Sequence, residues 1–214
     1  MKQYTTFLFD FDGTLLDSSD HVIGCFQDTF REVMGYELPT STITATFGIP
    51  LAQALQDLAP EHAEELLRVY RKHSDAIGFS KLREIDGAKE TLKTLHEMGC
   101  VNAIVTSKKE VNAQAQMDYI GITPYIDCLV GPDQTTAHKP DPEPVYCALR
   151  YLHARAEDAI MIGDSPFDIL CGKNAHVDTA GVDFTTVDLD SLKASEPTYM
   201  LSHLSELIAL AKKN

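Results

Sequence analysis

Apolar residues fall into two rhythms along this chain. Short apolar runs at Phe7-Leu8-Phe9, 101–106, 126–130, 159–162 and 178–182 read as strands buried on both faces of a sheet. Between them lie stretches with helical spacing at 88–98, 110–120, 141–152 and 167–174. Gly99 and Gly121 end the first two, and prolines sit in the first turn of the third, where they are tolerated. A weaker strand at 199–201 and a terminal helix at 203–212 complete the series. Helix alternating with strand predicts an α/β fold, a parallel sheet with right-handed crossovers and helices on both sides.

One region breaks the alternation. From about residue 21 to 77 the spacing is helical throughout, with almost no strand signal. Ile23, Phe26, Phe30, Val33 and Met34 share one helical face that Gly35 ends. Pro39, Gly48, Pro50 and Pro60 divide the rest into short helices, and 63–76 is helical again. This predicts a helical insert at 16–81, set between two parts of one core at 1–15 and 82–214.

Charge narrows the range of partners. The 214 residues carry 32 acidic against 18 basic side chains, a formal net charge of −14. Such a surface repels nucleic acid and anionic membranes, so neither is an expected partner. An anionic substrate then needs local positive charge or a metal at its site. The five cysteines are scattered, form no CxxC pair and read as reduced, buried hydrophobes. The first core strand follows Met1 almost at once, leaving no room for a signal peptide, and no apolar run spans a membrane. These features predict a cytoplasmic protein, as monomer or homodimer.

The candidate chemistry gathers at strand ends. Phe7-Leu8-Phe9 stops abruptly in Asp10-Phe11-Asp12-Gly13-Thr14. Asp and Gly are ordinary turn formers. Yet two carboxylates on the same side of an extended chain, at the end of a buried strand, sit where open α/β sheets place ligands. Burying that much negative charge is costly without a cation, which implies a divalent metal. Thr106-Ser107-Lys108 also follows a strand and offers a hydroxyl beside backbone N–H groups, a pattern suited to phosphate oxygens or to an ordinary helix start. In His138-Lys139-Pro140-Asp141-Pro142-Glu143-Pro144 the prolines stiffen the chain and aim Lys139 from a rigid base. Gly163-Asp164 ends a further strand, and Asp168, about one turn on, either faces the same site or caps its helix.

Together these residues resemble the haloacid dehalogenase superfamily of aspartate-nucleophile phosphatases, over nearly the whole chain. Asp10-Phe11-Asp12-Gly13-Thr14 is similar to its first motif, Thr106 to its second, Lys139 to its third, and Gly163-Asp164 with Asp168 to its fourth. The helical insert resembles the C1-type cap on a Rossmann-like core. Phe47-Gly48-Ile49-Pro50-Leu51 and the proline-rich run after Lys139 resemble the phosphoglycolate phosphatase branch, and 159–164 and 172–175 its small pyrophosphatases.

The resemblance implies that Asp10 attacks phosphorus and that Asp12 is the acid and then the base. It implies Mg²⁺ held by Asp10, Asp164 and the Asp12 carbonyl, with Asp168 behind them. Thr106 and Ser107 would bind the phosphoryl group, Lys139 would neutralise it, and Gly13, Thr14 and Gly48 would line the substrate site. The implied partner is a small phosphorylated metabolite: phosphoglycolate first, with inorganic pyrophosphate or the sugar phosphate of a phosphomutase as alternatives. A phosphoacceptor signalling domain is a remote alternative. Phe184-Thr185 stands where the branch commonly has an aromatic-glycine pair, away from the implied catalytic residues. His21, His62, His73 and His153 show no partner pattern and read as surface or structural residues.

Overall fold

The computed structural model describes residues 2–212. Its core is one six-stranded parallel sheet. Strand β1 (Thr6–Phe9) lies at the centre, and β4 (Val101–Val105) and β5 (Cys128–Val130) extend the sheet on one side. On the other side follow β6 (Ala159–Gly163), β7 (Asp178–Val182) and β8 (Tyr199–Leu201). The chain therefore builds outward from β1 in one direction and then returns to build in the other. That reversal leaves a crevice at the carboxyl ends of β1, β4 and β6.

Register sets what meets there. Phe9 lies opposite Ile104 and Ile162, so three neighbouring strands end nearly level. Asp10 continues the ladder by donating its N–H to the Ile162 carbonyl, 2.8 Å away. Side chains alternate across the sheet, as a period of two requires. Phe7 and Phe9 pack with Leu92 of α5 (Ala88–Glu97) and Met117 of α6 (Glu110–Ile120). Leu8 packs on the other face with Val145 of α7 (Glu143–Tyr151) and Cys171 of α8 (Pro166–Asn174). The result is the three-layer α/β architecture expected from the alternation.

Helices α1 (Ser19–Met34), α2 (Thr40–Thr44), α3 (Leu51–Leu58) and α4 (Ala63–Ile77) occupy the non-alternating region and share a separate apolar cluster. Phe26 meets Tyr70 edge to face within it, ring centroids 5.3 Å apart. Gly35 ends α1 in the left-handed conformation. At the base of this region β2 (Leu16–Asp17) pairs antiparallel with β3 (Arg83–Glu84), two-residue strands too short to show a period.

Several boundaries differ from the sequence reading for local reasons. Helix α7 starts at Glu143 rather than 141, because Asp141 precedes a proline and is steered away from helical angles. Strand β5 is shorter than 126–130, since Thr123–Tyr125 forms a 3₁₀ turn before it. The segment expected as a terminal α-helix is a 3₁₀ helix, Leu204–Leu210. Leu204, Leu207 and Leu210 are all buried, and a spacing of three matches the 3₁₀ period. Helix α9 (Leu189–Ala194), capped by the Asp188 carboxylate, carries no strong apolar period and is not legible in the sequence. Four of the five cysteines are buried, Cys128 is half-buried, and all are free thiols.

Candidate active site

Two strand ends and one helix deliver the acidic groups. Asp10 follows β1, Asp164 follows β6, and Asp168 reaches back from the first turn of α8. Gly13 makes the turn after β1 possible: its φ is +79°, and a Cβ there would overlap the Asp164 carboxylate. The turn therefore needs glycine for both angle and space.

Lys139 joins the acidic groups. Its ammonium donates to Asp10 Oδ1 at 2.7 Å, to Asp168 Oδ1 at 2.5 Å and to the Val105 carbonyl at 3.3 Å. The loop that carries it is pinned by Glu143, whose carboxylate accepts the Thr136 and Ala137 N–H groups at 3.1 and 2.6 Å. Asn174 of α8 adds a bond to the Pro140 carbonyl at 2.9 Å. Asp168 serves both roles open from the sequence. Its Oδ2 accepts from the Ser165 N–H and hydroxyl, closing a capping box on α8, while its Oδ1 holds Lys139.

Burial governs the electrostatics. Asp10, Lys139 and Asp164 are each about 5% exposed and Asp168 is sealed. Desolvation raises the Asp10 carboxyl to about 7; Lys139 opposes that rise while Asp168 and Asp12 add to it. Asp164 is pushed well above the usual range by burial, then by Asp168 and Asp10. Burial alone would lower Lys139, but the Asp10 and Asp168 carboxylates outweigh it and hold the ammonium charged. The cluster thus carries more negative charge than one lysine balances.

That imbalance bears on metal binding. Asp10, Asp164 and Asp168 each present an oxygen within 4.8 Å of the others. Asp168 already spends both oxygens on Lys139 and Ser165. The named bonds engage only Oδ1 of Asp10 and Oδ2 of Asp164, the latter accepting from the Thr185 hydroxyl at 2.9 Å. Two buried carboxylates with raised proton affinity are hard oxygen donors that fit a divalent cation such as Mg²⁺.

A cavity of about 850 Å³ opens above Asp10, Asp12, Gly13 and Asp164, between the sheet edge and helices α1, α3 and α4. Thr106, Ser107 and Gly48 line it. The Ser107 hydroxyl donates to the Gly48 carbonyl at 2.9 Å, joining the helical region to the core. Thr14 does not line the cavity. It is fully buried, and its hydroxyl has no partner among the described residues. Lys139 and Asp168 lie behind Asp10 rather than along the cavity wall.

Four groups at or beside the cavity escape the sequence reading. Lys108 Nζ sits 2.6 Å from Asp12 Oδ1 and 2.5 Å from Gln116 Oε1. Ser18 also donates to Asp12. His21, expected at the surface or as a structural residue, lines the cavity and meets the Ser74 hydroxyl at 3.0 Å, tying α1 to α4. Thr185, expected away from the catalytic residues, touches Asp164 directly. Adjacency to Ser107 is the only sequence signal for Lys108, and the others have none.

Residues 7–182 match the family model described as haloacid dehalogenase-like hydrolase. This chain belongs to that family and is an enzyme of it, which bears out the resemblance carried by the four motifs. Similar curated proteins include the pyrophosphatase PpaX of Halalkalibacterium halodurans, 35% identical over 96% of both chains. Another is the pyrophosphatase PpaX of Listeria monocytogenes, 34% identical over 97% of this chain and 96% of its own. A haloacid dehalogenase-like family hydrolase from Streptococcus pneumoniae superposes with a TM-score of 0.85 at 26% identity, over 96% of this chain and 97% of its own.

Proposed function

We propose that this enzyme is a Mg²⁺-dependent phosphatase that cleaves a small phosphorylated metabolite through an aspartyl phosphate on Asp10. The observation that carries this is the Lys139 ammonium shared between Asp10 and Asp168, with Asp164 beside them at the next strand end. One carboxylate is oriented and charge-balanced at the cavity floor, and a second, Asp12, stands two residues on.

In the first step an Asp10 oxygen bonds to phosphorus as the bond to the bridging oxygen breaks. The released electron pair stays on the leaving oxygen, which takes a proton from Asp12. In the second step water adds to phosphorus and gives its proton to Asp12, while the Asp10–phosphorus bond breaks to return carboxylate and inorganic phosphate. Thr106 and the Ser107 N–H hold the transferring oxygens while Lys139, behind Asp10, helps balance the charge, so catalysis is mostly positioning and electrostatics. Asp10, Asp164 and the Asp12 carbonyl would hold Mg²⁺, which when bound offsets the charge shared by carboxylates and phosphoryl oxygens. Residues 16–81 would act as a cap, with the paired strands β2 and β3 at its base, closing to exclude bulk water.

Inorganic pyrophosphate is the first substrate we propose, since relatives named for it align with nearly the full chain. Phosphoglycolate is the second, favoured by the run around Gly48 and by the residues that follow Lys139. The test is phosphate release from each, with Mg²⁺ and with chelator. We expect metal-dependent turnover that vanishes in Asp10→Asn. Turnover of neither, or full activity in Asp10→Asn, overturns the reading.

A further inference from the structure

We infer that Lys108 forms an anion subsite for the leaving group, so that the enzyme selects substrates whose departing half carries its own negative charge. The inference rests on the phosphatase reading and concerns the half of the substrate that reading leaves open.

The argument starts from the ammonium's surroundings. Lys108 follows the Thr106-Ser107 pair at the end of β4, and its N–H bonds the Thr106 hydroxyl oxygen at 3.1 Å, which fixes its base. Its Nζ is held from three directions: by Asp12 at 2.6 Å, by the buried Gln116 at 2.5 Å, and by the Phe11 ring, 5.3 Å to the centroid. An ammonium has three N–H donors, and these oxygens take two of them. The side chain is 17% exposed and lines the cavity, so the third donor belongs to whatever fills that space.

Location gives the subsite its meaning. An acid that protonates the leaving oxygen must come within hydrogen-bond reach of it. Lys108 touches that same carboxylate, so it stands beside the leaving oxygen, whereas Lys139 lies behind Asp10. Of the two lysines, Lys108 is the one that lines the cavity. His21 and Arg71 line the wall on the helical side, and burial first, then nearby Lys108, lowers the proton affinity of His21. A chain with a net charge of −14 thus places cationic side chains, Lys108 and Arg71 among them, along the wall of this cavity. A second phosphoryl group or a carboxylate fits the Lys108 end. A neutral alcohol leaves that charge without an added partner.

Binding of two non-hydrolysable ligands in the presence of Mg²⁺ tests this without requiring turnover. Methylenediphosphonate carries an anion at both ends and methylphosphonate at one. Lys108→Gln keeps a polar side chain beside Asp12 and removes the charge. We expect it to weaken methylenediphosphonate about 30-fold, the scale of one lost charge-assisted bond, and methylphosphonate less than about 3-fold. Lys108→Arg should recover most of the difference. Equal weakening of both ligands would reduce Lys108 to a support for Asp12 and overturn the inference. So would unchanged binding of methylenediphosphonate, or its failure to bind the unsubstituted enzyme. Turnover of pyrophosphate and phosphoglycolate, lost in Asp10→Asn, reports separately on the phosphatase reading.

Discussion

Lys139 and Asp168 form an ion pair 2.5 Å long in which the two side chains are 2% and 0% exposed. Asp168 also closes the capping box of α8, so one carboxylate ties Lys139 to the start of a core helix. Among the described residues, removing it leaves the buried ammonium with Asp10 as its only carboxylate partner, and the helix loses the carboxylate half of its capping box.

Asp168→Ala should therefore cost about 3–5 kcal/mol of stability, the usual penalty for breaking a buried pair from one side. Denaturant unfolding with and without the substitution reads this directly. Turnover should fall as well, because Lys139 loses the bond that orients it. A loss below about 1 kcal/mol would show that the pair is dispensable to the fold.

The pH dependence of metal stabilisation follows from Asp10. Its carboxyl is raised from 3.8 to about 7 by burial, and Asp164 moves in the same direction. Between those values the folded chain holds a proton that the unfolded chain has released. Its contribution to stability is thus fully present below 3.8 and is lost as pH rises through about 7. A cation held by Asp10 and Asp164 would take the place of that proton. Saturating Mg²⁺ should raise the melting temperature by several degrees more at pH 8 than at pH 5. Thermal melts at fixed ionic strength check this, and an equal shift at both pH values would contradict it.

Much of the site is legible in the sequence because its groups are backbone continuations of strands. Asp10, Thr106 and Asp164 follow apolar runs, and parallel register alone brings three such ends together. Lys139 is legible because prolines fix the chain around it. Groups that arrive from other elements are not. The Lys108 ammonium is placed by Gln116 on α6 and by Asp12, and His21 meets Ser74 across 53 residues of chain. Thr14 fails in the opposite sense. It belongs to the motif by position, but the turn at Gly13 buries it away from the cavity. Strand ends can be read in one dimension, whereas packed side chains need the fold.

Thr185 is the clearest case of such a late arrival. Its hydroxyl donates to Asp164 Oδ2 at 2.9 Å from a loop 21 residues further on. A bond of this kind orients a metal ligand and typically changes affinity by about 10–100-fold when lost. Thr185→Val keeps the volume and deletes the donor. The Mg²⁺ concentration for half-maximal activity should rise about 10-fold, with the melting temperature of the metal-free protein nearly unchanged. An unchanged Mg²⁺ requirement would place Thr185 outside the metal site.

Glu143 offers a second pH signature, of opposite sign. Its carboxylate lies below the usual range because the Ala137 and Thr136 N–H groups, then the Thr136 hydroxyl, donate to it. A depressed folded value means that its stabilisation is fully present above the ordinary value of 4.5 and disappears as pH falls through the lower, folded value. Glu143→Gln removes the charge that these donors favour and loosens the loop bearing Lys139. The substituted protein should be less stable than the parent at pH 7, and the difference should shrink steadily below pH 4.5. Urea unfolding of both proteins across pH 3.5–7 resolves this. A gap that holds constant down the acid limb would mean that the loop is pinned by shape and not by the carboxylate.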